Sequence, residues 1–284
     1  NFMKKKTDKI VFVSMSADVI HHGHVNIINE AKKFGKVIIG LISDEVISKH
    51  KRLPYLNWSQ RKKILENIKG VIKVIKQKEW DYVPSILTLK PDYLAHGTDW
   101  KKGDLKNLRY LAIKALKSYG GKLIEIEYTK GISAMNYSLN QKIIGTSPDV
   151  RKSNLKRLIE LKKIVRIIEA HNPLSALIAE NIYVKDKNFI REFDGFWSSS
   201  LTDSTSQGKP DTESLDLSSR LNNINNIFNI TTKPLIIDCD TGGLTEHFSL
   251  NVKTMERLGI SAAIIEDKKG LKKNSLLGNK VKQE

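Results

Sequence analysis

Short apolar runs alternate with amphipathic stretches along the first half of the chain. Five of the apolar runs predict buried strands: KIVFVSM, KVIIGLIS, VIKVIKQ, PDYLAHG and KLIEIEY. The stretches between them predict helices, among them VNIINEAKKFG, which ends at Gly35, and SQRKKILENI, with Ser59 as its N-cap. Continuous runs of Val, Ile and Leu are typical of parallel strands that helices cover on both faces. The pattern therefore predicts an α/β fold with a doubly wound parallel sheet.

A second pattern begins after Gly145-Thr146-Ser147-Pro148, where the basic helix RKSNLKRLIELKK carries the chain onward. Four short strands follow, and each ends in polar or acidic residues: VRIIEAHN, FDGFWSSS, PLIIDCDTG and AAIIEDK. Functional side chains at the ends of successive strands are typical of a β/α barrel, which has eight strands. We therefore expect a domain of residues 1–148, a linker helix of 149–163, and the first part, about half, of a TIM-type barrel in 164–284.

Charge and composition narrow the choice of partners. The chain has 284 residues, and its 48 Lys and Arg against 31 Asp and Glu give a formal net charge of +17, so its surface should attract anions. A single cysteine, Cys239, excludes a disulfide within the chain and suits a cytoplasmic protein. No apolar run approaches the ~18 residues needed to cross a bilayer, so we expect no membrane partner. We also expect a homo-oligomer.

The basic helix of residues 151–163 raises the alternative of a nucleic-acid-binding module. Such a module would interleave aromatic stacking platforms with its basic residues. This helix contains no aromatic residue. Nucleotides and phosphorylated metabolites are therefore the preferred anionic partners, and nucleic acid is not expected.

The stretch SADVIHHGHVNIINEA places three histidines within four positions, at the point where a predicted strand ends and a predicted helix begins. His21 and His24 are three apart, so they share one face of the helix start. Gly23 between them allows a ligand to approach the backbone, and a helix N-terminus favours phosphate. The spacing leaves three interpretations open: phosphate chemistry, a zinc site, or an exposed polar turn. Zinc has the least support, because no cysteine or spaced third ligand lies nearby.

The segment Asp18-x-x-His21-x-Gly23-His24 resembles the H-x-G-H signature of the cytidylyltransferase-like nucleotidyltransferases. Further segments follow in the family's order: KRLPYL with the helix QRKKILENI, then HGTDW, then KGISAM. The resemblance covers roughly residues 8 to 145 and implies a Rossmann-like fold for them. It also implies CTP as substrate and Mg²⁺ as cofactor, because triphosphate transfer needs charge neutralised at the leaving group.

This resemblance implies roles for individual residues. His21 and His24 would stabilise charge at the α-phosphate of CTP, while Lys51 and Arg52 would neutralise phosphate charge. Arg61 would contact the departing pyrophosphate. Without the resemblance, a buried core position would be the preferred interpretation of the tryptophan of HGTDW. The implied nucleotide-binding residues are Ser16, Ala17, Asp18, Gly23, Arg61, His96, Gly97, Asp99, Trp100, Ile132 and Ser133.

Carboxylates end two strands of the second half. Asp238 and Asp240 follow PLII, and strand alternation places them on the same side. Glu266 follows the next strand, AAII. Such carboxylates can hold a hard divalent cation directly or through water, although an acidic strand end can also be a solvated turn.

Four segments resemble the isocitrate lyase and phosphoenolpyruvate mutase superfamily: EAHN, FDGFWSSSLTDS, DCDTGG and EDKKGLKKNS. The lyases of this group carry a cysteine after the Glu-Asp pair, whereas this chain has lysines and then Asn274, as in the mutases. The resemblance implies that Lys272 and Asn274 close over the substrate as catalytic residues. It implies a substrate site of Trp197, Ser199, Leu201 and Asp211, and an Mg²⁺ shell of Asp238, Asp240 and Glu266.

The two resemblances together predict one enzyme of phosphonate biosynthesis. The first half would transfer CMP from CTP to a phosphonate, such as 2-hydroxyethylphosphonate, and release pyrophosphate. The second half would convert phosphoenolpyruvate to phosphonopyruvate. An alternative within the same fold is a nucleotidyltransferase that acts on a phosphate monoester, of the adenylyl or glycerol-phosphate type.

Overall fold

A computed structural model of the chain describes residues 9–101, 105–127, 146–186, 189–267 and 272–273. The chain forms two compact units. The first comprises Asn1–Tyr137 with Lys185–Ile190, and the second comprises Ser138–Val184 with Arg191–Glu284. Within the described residues, no helix is long and apolar enough to cross a membrane.

The first unit is built on a five-stranded sheet in the order β3-β2-β1-β4-β5, in which all neighbours are parallel. Its strands are β1 (Ile10–Met15), β2 (Lys36–Ile42), β3 (Val71–Gln77), β4 (Tyr93–Gly97) and β5 (Lys122–Ile126). Its helices are α1 (His22–Ala31), α2 (Asp44–His50), α3 (Trp58–Glu66), α4 (Val83–Leu89) and α5 (Lys106–Lys117), with a 3₁₀ turn at Thr98–Lys101. The predicted doubly wound parallel sheet is confirmed.

Strand β1 shows why a continuous apolar run forms a central strand. Val11 and Val13 pack on one face of the sheet with Ile28 of α1, whereas Phe12 packs on the other face with Leu108 of α5. Val11, Phe12 and Val13 are each at most 1% exposed. Because successive side chains point to opposite faces, both faces must be apolar when helices cover both of them.

Two predicted helix ends are wrong. Helix α1 begins at His22 and ends at Ala31, so it includes His22 and His24, has His21 as its N-cap and stops before Gly35. Helix α3 is capped by Asn57, not by Ser59. The Asn57 side chain accepts the backbone N–H of Gln60 at 3.0 Å, and the Gln60 side chain accepts the N–H of Asn57 at 2.9 Å. This reciprocal pair satisfies two helix-end donors, which a cap at Ser59 would leave open.

The second unit contains the four predicted strands, all parallel, in the order β11-β10-β9-β6. They are β6 (Ile167–Glu169), β9 (Gly195–Ser198), β10 (Leu235–Asp238) and β11 (Ala262–Ile264). The helices that follow Ser147 are α6 (Pro148–Leu161), α7 (Pro173–Asn181), α8 (Ser200–Ser206), α9 (Leu217–Phe228) and α10 (Thr245–Leu258). Two further strands, β7 (Tyr183–Asp186) and β8 (Phe189–Glu192), form a separate sheet that the sequence pattern did not predict.

Candidate active sites

The strand order of the first sheet reverses between β1 and β4, which are adjacent. In open α/β sheets, ligands bind outside the carboxyl ends of the strands at such a reversal. The histidine segment follows β1, and the segment His96–Trp100 begins at the end of β4. Both predicted nucleotide-binding segments therefore lie at the edge of the sheet where a ligand is expected.

His21 and His24 cap helix α1 together. The Nδ1 atom of His21 accepts the backbone N–H of Gly23 at 3.1 Å, and the Nδ1 atom of His24 accepts the backbone N–H of His21 at 3.3 Å. The two ring centroids are 4.1 Å apart. A nitrogen that accepts a hydrogen bond carries no proton, so each ring carries its proton on Nε2. The pair therefore presents two Nε2–H donors at the helix start.

The pKa values of these histidines agree with this assignment. Burial, with smaller contributions from the nearby His21 and Lys51, lowers the pKa of His24 to about 4. Burial, followed by the neighbouring His22, also lowers the pKa of His21. Both rings are therefore neutral near pH 7, and they act as hydrogen-bond donors and not as cations.

Lys51 and Asp18 lie beside the histidines. The Lys51 ammonium donates to Ser16 Oγ at 3.0 Å, and the Asp18 carboxylate accepts the backbone N–H of Tyr55 at 2.5 Å. Burial lowers the pKa of Lys51, although Asp18 opposes that shift, and burial raises the pKa of Asp18. Arg52, the other predicted phosphate ligand, follows in the same loop and is half-buried. The structure therefore places the Lys51 ammonium beside the histidine loop.

The backbone between β1 and α1 is strained at Ala17. This residue is fully buried and has a φ of 46°, in the left-handed region that favours glycine. Gly23, at the start of α1, is also buried. Non-glycine residues persist in such conformations only where the surrounding structure holds them, and they cluster at functional loops.

Arg61 does not occupy the position predicted for a pyrophosphate contact. Its side chain is fully buried, and its guanidinium donates to the carbonyls of Ser16, Ile42 (3.0 Å) and Leu56 (3.2 Å). It also pairs with the Asp44 carboxylate at 2.5 Å. A contact with pyrophosphate would require Arg61 to leave these partners, so its predicted role as a phosphate ligand is corrected.

Trp100 is likewise a core residue and does not line a pocket. It is fully buried, its Nε1 donates to Glu125 Oε1 at 3.2 Å, and its ring stacks on His96 at a centroid distance of 3.9 Å. His96 Nδ1 lies 2.9 Å from the carbonyl of Gly97, and its Nε2 lies 3.2 Å from the Tyr82 hydroxyl. Both His96 nitrogens therefore have partners within the protein.

The remaining predicted nucleotide-binding residues divide in two. Asp99 has a side chain that is 43% exposed and is the most exposed of the residues from His96 to Trp100. Ile132 and Ser133, from KGISAM, lie outside the described residues.

In the second unit, the structure brings Lys272 to the carboxylates that follow β10. Its ammonium donates to Asp240, to Asp211 at 2.8 Å and to the Ser200 hydroxyl at 2.8 Å. The Ser200 hydroxyl in turn donates to Asp238 at 3.0 Å. Burial lowers the pKa of Lys272, but its hydrogen bonds to Asp211 and Asp240 outweigh that effect and raise the pKa. Lys272 is therefore a charged, enclosed ammonium.

Arg220 is a site residue that the sequence analysis missed. It is 3% exposed and donates to the Asp203 carboxylate at 2.9 Å and to the carbonyl of Asp238 at 2.5 Å. It also lies 3.5 Å from Asp240. The sequence did contain a signal for its burial. Helix α9 has apolar residues at Leu217, Leu221 and Ile224, and Arg220 lies on the same face of the helix.

The predicted Mg²⁺ shell of Asp238, Asp240 and Glu266 is not formed in this arrangement. Among the described residues, no group of three or more His, Cys, Asp or Glu side chains could hold a metal ion. The Asp240 carboxylate instead forms ion pairs with Lys272 and Arg220. The residues present therefore do not fit a direct three-carboxylate shell.

Three of the predicted substrate residues of the second unit lie at or directly after the end of β9, and the fourth is Asp211, which contacts Lys272. Trp197 is half-buried on the strand, and its Nε1 atom has no hydrogen-bond partner within the part of the chain that the structure describes. Ser199 is buried at the N-cap position of α8 without a side-chain capping hydrogen bond, and Leu201 is half-buried in the first turn of that helix. Asn274 lies outside the described residues.

Two known protein families match the chain. The Cytidylyltransferase-like family matches residues 16–194, and the Phosphoenolpyruvate phosphomutase family matches residues 155–283. An FAD synthase of Archaeoglobus profundus is 32% identical over 143 residues, which cover 50% of this chain and 88% of that protein.

The second half is similar to phosphoenolpyruvate phosphomutases and to phosphonopyruvate hydrolases of known structure. The protein of Tetrahymena pyriformis is 33% identical over 128 residues, which cover 45% of this chain and 40% of that protein. A crystal structure from Streptomyces platensis subsp. rosaceus is 35% identical, covers 46% of this chain and 43% of that chain, and has a TM-score of 0.41. The chain thus spans less than half the length of these mutases. It belongs to the cytidylyltransferase-like family, and its residues 155–283 are similar to the phosphoenolpyruvate phosphomutase family.

Proposed function

We propose that the chain transfers CMP from CTP to a phosphonate, such as 2-hydroxyethylphosphonate, and releases pyrophosphate. The observation that carries this proposal is the pair of neutral imidazoles at the start of α1. His21 and His24 both present Nε2–H donors, because both Nδ1 atoms accept backbone N–H groups. Two fixed donors at a helix N-terminus suit a phosphate group whose negative charge increases during the reaction.

The proposed reaction is an in-line displacement at the α-phosphorus. An anionic oxygen of the phosphonate forms the new P–O bond, and the bond to the bridging oxygen of pyrophosphate breaks, so that pyrophosphate leaves with the electron pair. Negative charge builds on the α-phosphate oxygens, where the Nε2–H donors of His21 and His24 would stabilise it. Lys51 would supply positive charge beside them, and Mg²⁺ would accompany the triphosphate.

The acceptor is inferred from the second domain. A mutase domain that produces phosphonopyruvate would supply a carbon–phosphorus bond to later steps, and a nucleotidyltransferase on the same chain would act on a product of those steps. In that domain, we propose that Trp197, Ser199 and Asp211 surround the substrate. The substrate's negative charge would meet the Lys272 ammonium.

A second candidate is a nucleotidyltransferase that acts on a phosphate monoester. The 32% identity to an FAD synthase over 88% of that protein favours it. The two candidates share the same site chemistry. They differ in the acceptor, and the adenylyl type of the second candidate differs also in the nucleotide donor.

A pyrophosphate-release screen separates these candidates. The purified chain is supplied with CTP, ATP, GTP or UTP, each with 2-hydroxyethylphosphonate, with several phosphate monoesters including glycerol phosphate, or with flavin mononucleotide. The proposal expects CTP with a phosphonate to give the highest rate, and excess EDTA to abolish it. Equal rates with ATP, or a preference for flavin mononucleotide, would select the second candidate.

A further inference from the structure

We infer that Arg61 is a positioning residue of the nucleotidyl-transfer site, which acts through the loop between β1 and α1 and never touches the nucleotide. This inference rests on the proposed nucleotidyl transfer. It gives Arg61 a task different from the phosphate contact that the family resemblance suggested.

The guanidinium joins backbone segments that are distant in sequence. Its three acceptor carbonyls belong to Ser16 after β1, Ile42 at the end of β2, and Leu56 before α3. Its ion-pair partner, Asp44, begins α2 and accepts the backbone N–H of Trp58 through its other oxygen at 3.0 Å. Arg61 therefore ties the ends of two central strands to the starts of two helices.

Ser16 transmits this restraint to the site. Its carbonyl accepts from Arg61, and its hydroxyl accepts from the catalytic candidate Lys51 at 3.0 Å. The next residue, Ala17, has the strained φ of 46°, and Asp18 beyond it is held by the N–H of Tyr55. The loop is thus fixed on both sides of its strained residue, and Arg61 supplies the fixed point on the β1 side.

Arginine suits this task and lysine does not. A planar guanidinium directs several N–H donors along fixed directions, whereas a lysine ammonium is a compact point charge. A lysine could still contact a phosphate, because many phosphate sites use one. Replacement by lysine therefore distinguishes a residue that holds three carbonyls and a carboxylate from a residue that binds pyrophosphate.

The test uses Arg61→Lys and Arg61→Ala in the full chain, with CTP and 2-hydroxyethylphosphonate. We expect both variants to lose at least ~30-fold in kcat with KM for CTP within about threefold of the original, since the transition-state geometry is lost and not ground-state binding. Methylguanidine should restore part of the turnover of Arg61→Ala. Arg257→Ala, which removes an exposed arginine from α10, is the control. Its kcat should equal that of the original protein, and methylguanidine should not alter it.

Two outcomes would overturn the inference. One is Arg61→Lys with kcat within about threefold of the original protein, and the other is a loss confined to KM for CTP. If the Arg61 variants fail to fold, Asp44→Asn removes the ion pair and keeps the side-chain shape. It should lower kcat with little change in KM, and unchanged kcat there would also contradict the inference.

A second measurement does not depend on activity. Amide hydrogen exchange of residues 16–18 should be faster in Arg61→Lys than in the original protein, while exchange in the other unit stays unchanged. Unchanged exchange at residues 16–18 would contradict the inference even if no acceptor were found. Absence of pyrophosphate release from the original protein, together with faster exchange in the variant, would instead reject the proposed reaction and keep the positioning role.

Discussion

The backbone N–H of His21 donates to Nδ1 of His24 at 3.3 Å, so the two histidines of the H-x-G-H segment are joined by the cap of the helix that they begin. The His24 ring that caps the helix is also the ring that we propose acts on the phosphate. Because Nδ1 is occupied as an acceptor, the proton must be on Nε2, where it can be donated to a ligand. The helix start therefore fixes both the position of the ring and its tautomer.

Replacing His24 with alanine should separate transition-state stabilisation from nucleotide binding. We expect His24→Ala to lower kcat by at least ~10²-fold and to leave CTP affinity nearly intact, because the donor acts mainly on charge that develops in the reaction. Steady-state pyrophosphate release and equilibrium CTP binding measure the two quantities. His22→Ala, which changes the exposed neighbour, is the matched control and should keep full turnover. Weaker CTP binding with unchanged kcat in His24→Ala would assign His24 to ground-state binding.

The pH profile of turnover should lack the inflection that an ordinary histidine gives near pH 6.5. Burial lowers the pKa of His24 to about 4, so the ring stays neutral through the mildly acidic range. We expect kcat to stay level from pH 8 to about pH 5 and to fall as the pH approaches 4, when protonation of Nδ1 removes the acceptor for the His21 N–H. A fall in kcat centred near pH 6.5 would contradict this assignment.

The lowered pKa of His24 also predicts how stability depends on pH. In the unfolded chain His24 titrates near the ordinary histidine pKa of 6.5, whereas the folded chain resists protonation until about pH 4. Between these values the unfolded state binds more protons, so the free energy of unfolding should fall as the pH falls through this window. The slope for one histidine is at most about 1.4 kcal/mol per pH unit. Urea unfolding of the original protein and of His24→Gln at pH 7 and pH 5 measures it, and equal slopes would contradict the prediction.

The strands and the histidine site could be predicted from sequence because each depends on neighbouring residues. The apolar run at Val11–Val13 specifies a strand covered on both faces, and the histidine spacing specifies a shared helix start. The burial of Trp100 was the interpretation that its residue type favoured, and only its partner Glu125 could not be foreseen. Arg61 could not be placed in this way, because its burial depends on carbonyls from other segments, such as Ser16 and Ile42, which meet it only in the folded sheet.

The cation that binds the carboxylates of the second unit could not be predicted from the sequence either. Strand alternation predicted that Asp238 and Asp240 would lie together, but it could not show which cation meets them. Lys272 reaches Asp240 across 32 positions of sequence, and Arg220 reaches it from α9. Carboxylates that could bind a metal can also bind a buried lysine or arginine, and only the folded arrangement decides between them.

Removing the Lys272 ammonium should therefore destabilise the second unit. Lys272→Met leaves Asp211 and Asp240 without the cation that both contact, and breaking a buried ion pair costs roughly 3–5 kcal/mol. Millimolar Mg²⁺ should recover part of this loss, since the freed carboxylates can accept a divalent cation. Urea unfolding with and without Mg²⁺ measures both effects. Lys273→Met, at the exposed neighbour, is the control, and an equal loss in the two variants would refute the role of the Lys272 contacts.

The last prediction concerns mutase turnover by the polypeptide of residues 1–284. Its described second unit has four parallel strands, and within that part β6 and β11 each have one neighbour. A closed barrel has eight strands, and its loops together surround the substrate. An open four-stranded layer does not exclude water or position a substrate from all sides, and phosphoryl transfer depends on both.

We therefore expect this polypeptide to release pyrophosphate from CTP but to show no detectable conversion of phosphonopyruvate to phosphoenolpyruvate. Fusing the remaining strands and helices of the Tetrahymena pyriformis phosphomutase to its C-terminus should introduce that activity, because the second half of the barrel would close the sheet at β6 and β11. The same fusion with Lys272→Met is the control and should remain inactive, since the enclosed ammonium is a predicted catalytic group. A coupled assay for phosphoenolpyruvate formation measures all three proteins. Clear turnover by residues 1–284 alone would show that four strands suffice.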